Sequence, residues 1–183
     1  MALLSDVLQP GTLAECAAAT VTLLAPAARF SLRAGEAEQA GLSAALGVEL
    51  PARVGRRAAA GGTEALCLGP DEWLILAPKA SAAGIAQACA AIYPEARHSM
   101  TEISDRELSV RIEGPGAAAL LTLGCPRDIG SIATGEGRRT VFDGASVILW
   151  RDGDQEFRMD VWRSFAPHLV SLLRTGCAEL AAE

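Results

Sequence analysis

The chain has 183 residues, of which 50% are hydrophobic and 21% are charged, with a formal net charge of −6. This length suffices for one domain or for two small halves, each with a core of its own. An acidic chain lacks the basic face that sequence-independent binding of nucleic acid requires, so that class of function is excluded.

The first part of the chain predicts an arm followed by a half with strands and helices. Apolar and polar residues alternate at 29–34, Gly47 ends a helical stretch, and Gly69-Pro70-Asp71 is typical of a turn between two strands. In chain order we expect an arm of uncertain conformation at 1–27, a strand at 29–34, a helix at 36–46, a mobile loop at 53–62, strands at 65–68 and 73–77, a helix at 82–92 and a strand at 97–103.

The second part predicts a short helix and a meander of three strands. Gly114-Pro115 is typical of a helix start, and the Asp-Gly pairs at 143–144 and 152–153 favour tight hairpins. We expect a strand at 108–112, a helix from 114 to 124, strands at 138–142, 145–150 and 156–161, and a final helix at 165–181.

The two parts share an element order. Each contains a strand, a helix, a hairpin and a second helix, which is the β-α-β-β-α order of ferredoxin-like units. The expected fold class is therefore α+β, with two ferredoxin-like halves, antiparallel sheets and helices on one face. The expected organisation is an arm at 1–27, a first half at 28–103 and a second half at 104–183.

Cysteine and histidine usage argues against metal and disulfide sites. The five cysteines are widely spaced and odd in number, and no C-x-x-C motif is present. The two histidines, His98 and His168, are far apart in the sequence. No basic residue precedes Arg29, and the apolar stretch at 17–28 is shorter than the ~20 residues of a membrane span. We expect a cytoplasmic protein with no metal and no membrane contact.

Three groups of segments carry a resemblance to a known family. The first is Leu-Gly-Pro-Asp-Glu-Trp-Leu at 68–74. The second is 112–117 with 123–128, and the third is 147–151 with 157–159 and 163–165. In this order the segments resemble the gamma subunit of heterotetrameric sarcosine oxidase. That family is similar in fold to the folate-binding aminomethyltransferases, which have two related halves.

The resemblance implies an accessory role in sarcosine catabolism and one-carbon metabolism. The family's complex oxidises sarcosine to glycine and forms peroxide and 5,10-methylenetetrahydrofolate. The resemblance implies that FAD, FMN, NAD and tetrahydrofolate belong to partner chains, the alpha, beta and delta subunits. It implies no catalytic residue and no cofactor on the gamma chain itself.

The candidate contact residues are Asp105, Arg106 and Arg163. The stretch 101–106 groups two carboxylates, two hydroxyls and an arginine, whose fork suits a carboxylate or a partner surface. The alternative is a turn in which Ser104 and Asp105 bond local backbone. Arg163 lies where the last strand meets the last helix and faces either solvent or a partner. Three tryptophans are expected to be core or interface anchors, and they are Trp73, Trp150 and Trp162.

Three other interpretations remain open. Residues 114–119 match the dinucleotide motif G-x-G-x-x-A, although Pro115 removes a donor and a meander follows. Cys125 precedes a proline, but it follows a helix end, which opposes a thiolate, so a packed thiol is expected. The remaining alternative is a stand-alone folate-binding protein like the aminomethyltransferases. The signature Lys-Gly-Cys-Tyr-x-Gly-Gln-Glu of one such family is reduced here to Gly124-Cys125.

Overall fold

The computed structural model describes residues 9–182, so the first eight residues of the predicted arm lie outside the described part. The chain divides into two compact units. One unit is Ala27–Ser104, and the other combines Met1–Pro26 with Asp105–Glu183. Each unit has its own sheet and its own hydrophobic core.

The first unit is a five-stranded antiparallel sheet with two helices. The elements of this unit are β3 (Ala28–Ala34), α1 (Gln39–Leu46), β4 (Arg57–Ala60), β5 (Thr63–Gly69), β6 (Glu72–Ala77), α2 (Ala82–Ile92) and β7 (His98–Glu102). The strand order across the sheet is β4-β5-β6-β3-β7. The core consists of alternate residues of the strands together with Leu42, Leu46, Ile85 and Cys89 of the helices. A short 3-10 turn at Glu36–Glu38 leads into α1, and Gly47 ends it with φ 67°.

The mobile loop predicted at 53–62 is wrong for its second half. Residues 57–60 form β4, which pairs with β5 from Arg57↔Leu66 to Ala60↔Thr63. Gly61 and Gly62 make the two-residue turn with φ 58° and 84°, which only glycine adopts without strain. Alanine has little preference for strands, so the residues at 57–60 do not indicate a strand, and β4 is held by its pairing with β5.

The second unit is a six-stranded antiparallel sheet with two helices. The elements of this unit are β1 (Gly11–Glu15), β2 (Thr20–Leu23), β8 (Glu107–Glu113), α3 (Ala117–Thr122), β9 (Glu136–Phe142), β10 (Ala145–Arg151), β11 (Glu156–Trp162) and α4 (Ala166–Leu180). The strand order across the sheet is β1-β2-β8-β11-β10-β9. Its core joins the strands to both helices, with Leu120 and Leu121 from α3 and Leu169 and Leu173 from α4.

The predicted meander and the α+β fold class are confirmed. Strands β9, β10 and β11 are consecutive neighbours, and Asp143 and Gly144 form the first turn with φ 45° and 78°. Both sheets are antiparallel throughout. The residues of the arm that are described form β1 and β2, and β2 pairs with β8 from Thr20↔Glu113 to Leu23↔Val110.

Candidate partner surface

The three candidate contact residues lie together in the second unit. Asp105 and Arg106 precede β8, and Arg163 follows β11. These strands are antiparallel, and Glu107 at the start of one is opposite Trp162 at the end of the other. The backbone N–H of Arg163 donates to the Arg106 carbonyl at 2.8 Å, and Arg163 Nε donates to the Asp105 carbonyl at 3.2 Å. Strand pairing thus joins positions that are 58 residues apart.

Arg106 is held in place from two sides. Its Nη2 and Nε donate to Glu107 Oε1 at 2.7 and 3.2 Å. The Glu107 side chain is only 4% exposed, whereas that of Arg106 is 44% exposed. The guanidinium also lies over the Trp162 ring, 5.3 Å from the ring centroid, which is cation–π geometry. Arg106 therefore presents an ordered, half-exposed positive group.

Two large aromatic side chains are exposed beside these charges. Trp162 is 44% exposed and Phe165 is 46% exposed. The Phe165 N–H donates to the Trp162 carbonyl at 2.9 Å, so both belong to the turn between β11 and α4. We call the group of Asp105, Arg106, Trp162, Arg163 and Phe165 the Trp162 surface. The Trp162 surface therefore resembles the centre of a protein–protein interface, where tryptophan and arginine are both enriched.

The other two tryptophans are core residues. Trp73 is 1% exposed and Trp150 is fully buried. Trp73 Nε1 donates to the Pro51 carbonyl at 2.8 Å, and Trp150 Nε1 donates to Asp160 Oδ2 at 2.6 Å. Buried indole N–H groups need such acceptors. Of the three expected anchors, Trp162 is therefore the one on the surface.

A buried carboxylate in β11 was not among the predicted site residues. Asp160 is 1% exposed, and it accepts hydrogen bonds from the Ser109 hydroxyl and from Trp150 Nε1. Arg158 lies 4.5 Å from the Trp150 ring centroid and forms an ion pair with Asp152. Aspartate is rare within strands, so its position in the predicted strand 156–161 was the available signal. The arrangement satisfies both carboxylate oxygens, as a structural role requires.

The glycines at 114–119 serve packing and leave no phosphate cradle. The N–H of Gly114 donates to the Gln155 carbonyl, that of Gly116 to the Ala18 carbonyl, and that of Ala117 to the Gly114 carbonyl. A Cβ on Gly114 would lie 2.6 Å from the Ala18 carbonyl oxygen. The amides that a dinucleotide would need are therefore occupied by the chain itself, and glycine allows residue 18 to approach.

Two further expectations have clear outcomes. Cys125 is 7% exposed, and its sulfur lies 3.8 Å from Thr140 Oγ1, so the packed thiol is confirmed. The alternative interpretation of 101–106 is a turn in which Ser104 bonds local backbone. Residues 104–106 do form a turn, but the Ser104 hydroxyl accepts from the distant Arg29 N–H and donates to Glu102 Oε1, so its bond to local backbone is wrong. This hydroxyl bridges positions distant in sequence, which local turn patterns do not reveal.

Within residues 9–182, no group of three or more His, Cys, Asp or Glu side chains could hold a metal ion. None of the helices in this part of the chain is both long and apolar enough to cross a membrane.

Sequence comparison shows close relatives along most of the chain. The family described as "Sarcosine oxidase, gamma subunit family" matches residues 32–179. The sarcosine oxidase subunit gamma of an Arthrobacter species is 36% identical over 151 residues, covering 81% of this chain and 73% of that relative. The corresponding subunit of Corynebacterium sp. strain U-96 is 34% identical over 170 residues, covering 90% of this chain and 82% of that one.

Structural comparison agrees with the sequence relatives. A chain of heterotetrameric sarcosine oxidase from Corynebacterium sp. U-96, solved with pyrrole 2-carboxylate, matches with a TM-score of 0.84 and 32% identity, over 94% of this chain and 90% of that one. Aminomethyltransferase T of the Bartonella henselae glycine cleavage system matches with a TM-score of 0.67 and 17% identity, over 86% of this chain and 46% of that one. The second match shows a shared fold alone. The chain belongs to the sarcosine oxidase gamma subunit family.

Proposed function

We propose that this chain is the non-catalytic gamma subunit of a heterotetrameric sarcosine oxidase. The observation that carries the proposal is the 0.84 TM-score and 32% identity to a chain of such an enzyme across 94% of this chain. In the proposed assembly the alpha, beta and delta subunits hold FAD, FMN, NAD and tetrahydrofolate. They convert sarcosine to glycine and form peroxide and 5,10-methylenetetrahydrofolate. The five free cysteines support a reducing, cytoplasmic location.

We propose the Trp162 surface as a contact with a larger subunit. Trp162 and Phe165 supply apolar area that is in water in the isolated chain, and burial against a partner would remove it from water. Arg106 is already ordered by Glu107 and by the Trp162 ring, so binding would immobilise little additional side-chain freedom. The matching partner surface has an apolar pocket for the indole and a carboxylate near Arg106 and Arg163.

Co-purification of the tagged chain with the other three subunits tests the assembly. We expect stoichiometric recovery of the larger chains, flavin absorbance and sarcosine-dependent peroxide in the eluate. A colourless chain that elutes alone from cells that make the other subunits would contradict the proposal.

Substitution of the aromatic residues tests the surface. The double variant Trp162→Ala with Phe165→Ala should weaken assembly by about 30-fold or more, because truncation of a central interface aromatic typically removes ~2 kcal/mol or more. The matched control is Tyr93→Ala, which removes a side chain of similar exposure, 47%, from the first unit. Equal assembly of the two variants would contradict the assignment of the surface.

The same variants distinguish an accessory chain from a catalytic one. If the chain acts only by packing, the peroxide formed per assembled complex stays unchanged, while the amount of complex falls. Arg106→Lys adds a finer test, because lysine keeps the charge but loses the planar fork that bonds Glu107 and stacks on Trp162. We expect this variant to assemble more weakly than the parent and to retain its activity per complex.

A further inference from the structure

Two cysteines meet where the arm crosses the last helix of the second unit. Cys16 directly follows β1, and Cys177 lies within α4. Arg174 Nε, one turn before Cys177, donates to the Leu13 carbonyl of β1 at 2.9 Å. Cys16 packs against the core cluster that contains Cys177. The strand is therefore held against α4 within one turn of Cys177, three residues before Cys16.

The two thiols belong to one packed region. The Arg174–Leu13 hydrogen bond holds β1 against α4, and Cys16 packs on the cluster that contains Cys177. In agreement with this closeness, burial and the neighbouring Cys16 side chain together raise the pKa of Cys177 from 9.0 to about 11. Cys177 is 3% exposed, whereas Cys16 is only half-buried.

The other three cysteines lack this arrangement. Cys67, Cys89 and Cys125 are all buried. The Cys67 thiol donates to the Gly69 carbonyl at 3.2 Å, and the Cys125 sulfur faces Thr140. Cys16 is thus the one cysteine of the five that combines partial exposure with a second thiol beside it. Accessible thiols with an adjacent resolving thiol are the usual sites of reversible oxidation.

We propose that Cys16 and Cys177 form a peroxide-driven, reversible disulfide that links the arm to α4. The Cys16 thiolate attacks one oxygen of hydrogen peroxide, the O–O bond breaks, and Cys16 becomes a sulfenic acid as one water leaves. The Cys177 sulfur then attacks the Cys16 sulfur and displaces the hydroxyl as a second water. In sum, two thiols and one peroxide give one disulfide and two waters, and a thiol reductant reverses the bond.

Oxidation of the first thiol favours the second step. The sulfenic acid carries no thiolate charge, so one of the causes that raise the pKa of Cys177 disappears when Cys16 reacts. Burial of Cys177 still disfavours its thiolate, so we expect a slower reaction than in a dedicated peroxide sensor. The inference rests on the proposed function only for the source of peroxide, because the sarcosine oxidase would form it beside this chain.

The test treats the isolated full-length chain with hydrogen peroxide and measures intact mass under non-reducing conditions. We expect a mass lower by about 2 Da, the two hydrogens lost on disulfide formation. Trypsin should then release residues 1–29 linked to residues 175–183, since Arg29 and Arg174 are the flanking cleavage sites. Dithiothreitol should restore the starting mass and separate the two peptides.

Three variants make the result decisive. Cys16→Ala should abolish the linked peptide, and Cys125→Ala should leave it unchanged. In Cys177→Ala, which must first show an unaltered circular dichroism spectrum, Cys16 has no resolving thiol and should progress to a sulfinic acid, a gain of about 32 Da. Free Cys177 beside an oxidised Cys16 in the parent, a link between other cysteines, or no reaction at all would overturn the proposal. Because peroxide is added as a reagent, the outcome is independent of whether the chain joins the oxidase.

Discussion

The two units reach one strand arrangement from different parts of the chain. In the first unit the order β4-β5-β6-β3-β7 places β7, which follows α2, beside β3. In the second unit β9-β10-β11-β8 matches the first four positions, and the place of β7 is taken by β2. Both added strands are antiparallel to their neighbours. The second sheet thus obtains this neighbouring strand from the arm, whereas the first sheet obtains it from the C-terminal end of its own unit.

The comparison indicates that the position beside β3 in the first unit and beside β8 in the second has to be occupied by a strand, whichever part of the chain supplies it. Without a neighbour on that side, β3 and β8 would each leave a row of backbone donors and acceptors unpaired. The two solutions differ in burial. Val21 and Leu23 of β2 are buried in the core, whereas Met100 of β7 is only half-buried. We therefore expect the second unit to depend more on its borrowed strand than the first depends on β7.

The largest predicted effect comes from a charge in the borrowed strand. Val21→Asp places a carboxylate at a fully buried position and should lower the free energy of unfolding by roughly 4 kcal/mol, because burial of an unpaired charge is strongly unfavourable. Hydrogen exchange should show lost protection along β8 and β1 before any loss along β3 and β6.

The control for this variant is Thr12→Asp, at an exposed position of β1. It should change stability by less than about 0.5 kcal/mol, as is usual for surface substitutions. Equal loss of protection in both sheets of Val21→Asp would break the comparison, because it would mean that the arm supports the two units alike.

A pair of helix glycines gives a prediction of intermediate size. Gly176 in α4 is buried, and an added Cβ would overlap Leu123 Cδ1 and lie 2.5 Å from Leu120 Cδ1. Gly84 in α2 has no atom within 4 Å of such a Cβ. Gly176→Ala should therefore destabilise by about 1–2 kcal/mol through overpacking against α3. Gly84→Ala should stabilise by about 0.5–1 kcal/mol through its lower unfolded-state entropy. Chemical denaturation measures both, and effects of the same sign would contradict the packing described for α3 and α4.

The smallest predicted effect concerns alkaline pH. The pKa of Cys177 rises from 9.0 to about 11, so the folded state keeps this proton in a range where the unfolded state loses it. The stability contributed by this group should therefore fall as pH rises from about 9 to about 11 and then level off. Cys177→Ala should lack this decrease when unfolding is followed across the same range.

Burial alone raises the pKa of Cys89 in the first unit, whereas Cys16 adds to the effect at Cys177. In Cys16→Ala the loss of stability between about pH 9 and pH 11 should therefore be smaller than in the parent. An equal loss in the variant and the parent would contradict the coupling of the two cysteines.

The sequence could predict the elements whose signals are local. The hairpin around Gly69-Pro70-Asp71, the Asp143-Gly144 turn and the helix at Ala82–Ile92 follow from turn chemistry and periodicity. The strands of the arm and β4 were not predicted, because their pairing partners, rather than their own residues, hold them extended.

The candidate surface was predicted in part. Asp105, Arg106 and Arg163 were singled out, but their closeness depends on the β8–β11 register. The exposure of Trp162 could not be separated from the burial of Trp73 and Trp150, since all three lie in strands next to an apolar residue and only packing distinguishes them. Whether the surface meets a partner stays a prediction.

The crossing of the arm into the second sheet also sets a schedule for folding during synthesis. Residues 27–104 form a contiguous unit whose contacts are all available once that segment leaves the ribosome. The arm emerges first, yet β2 can pair only with β1 until β8 has been made, about ninety residues later by the β2–β8 register. During this interval Val21 and Leu23 are apolar residues without a core. The nascent chain therefore carries an exposed apolar strand while its middle unit folds, and that interval is when a chaperone would find it.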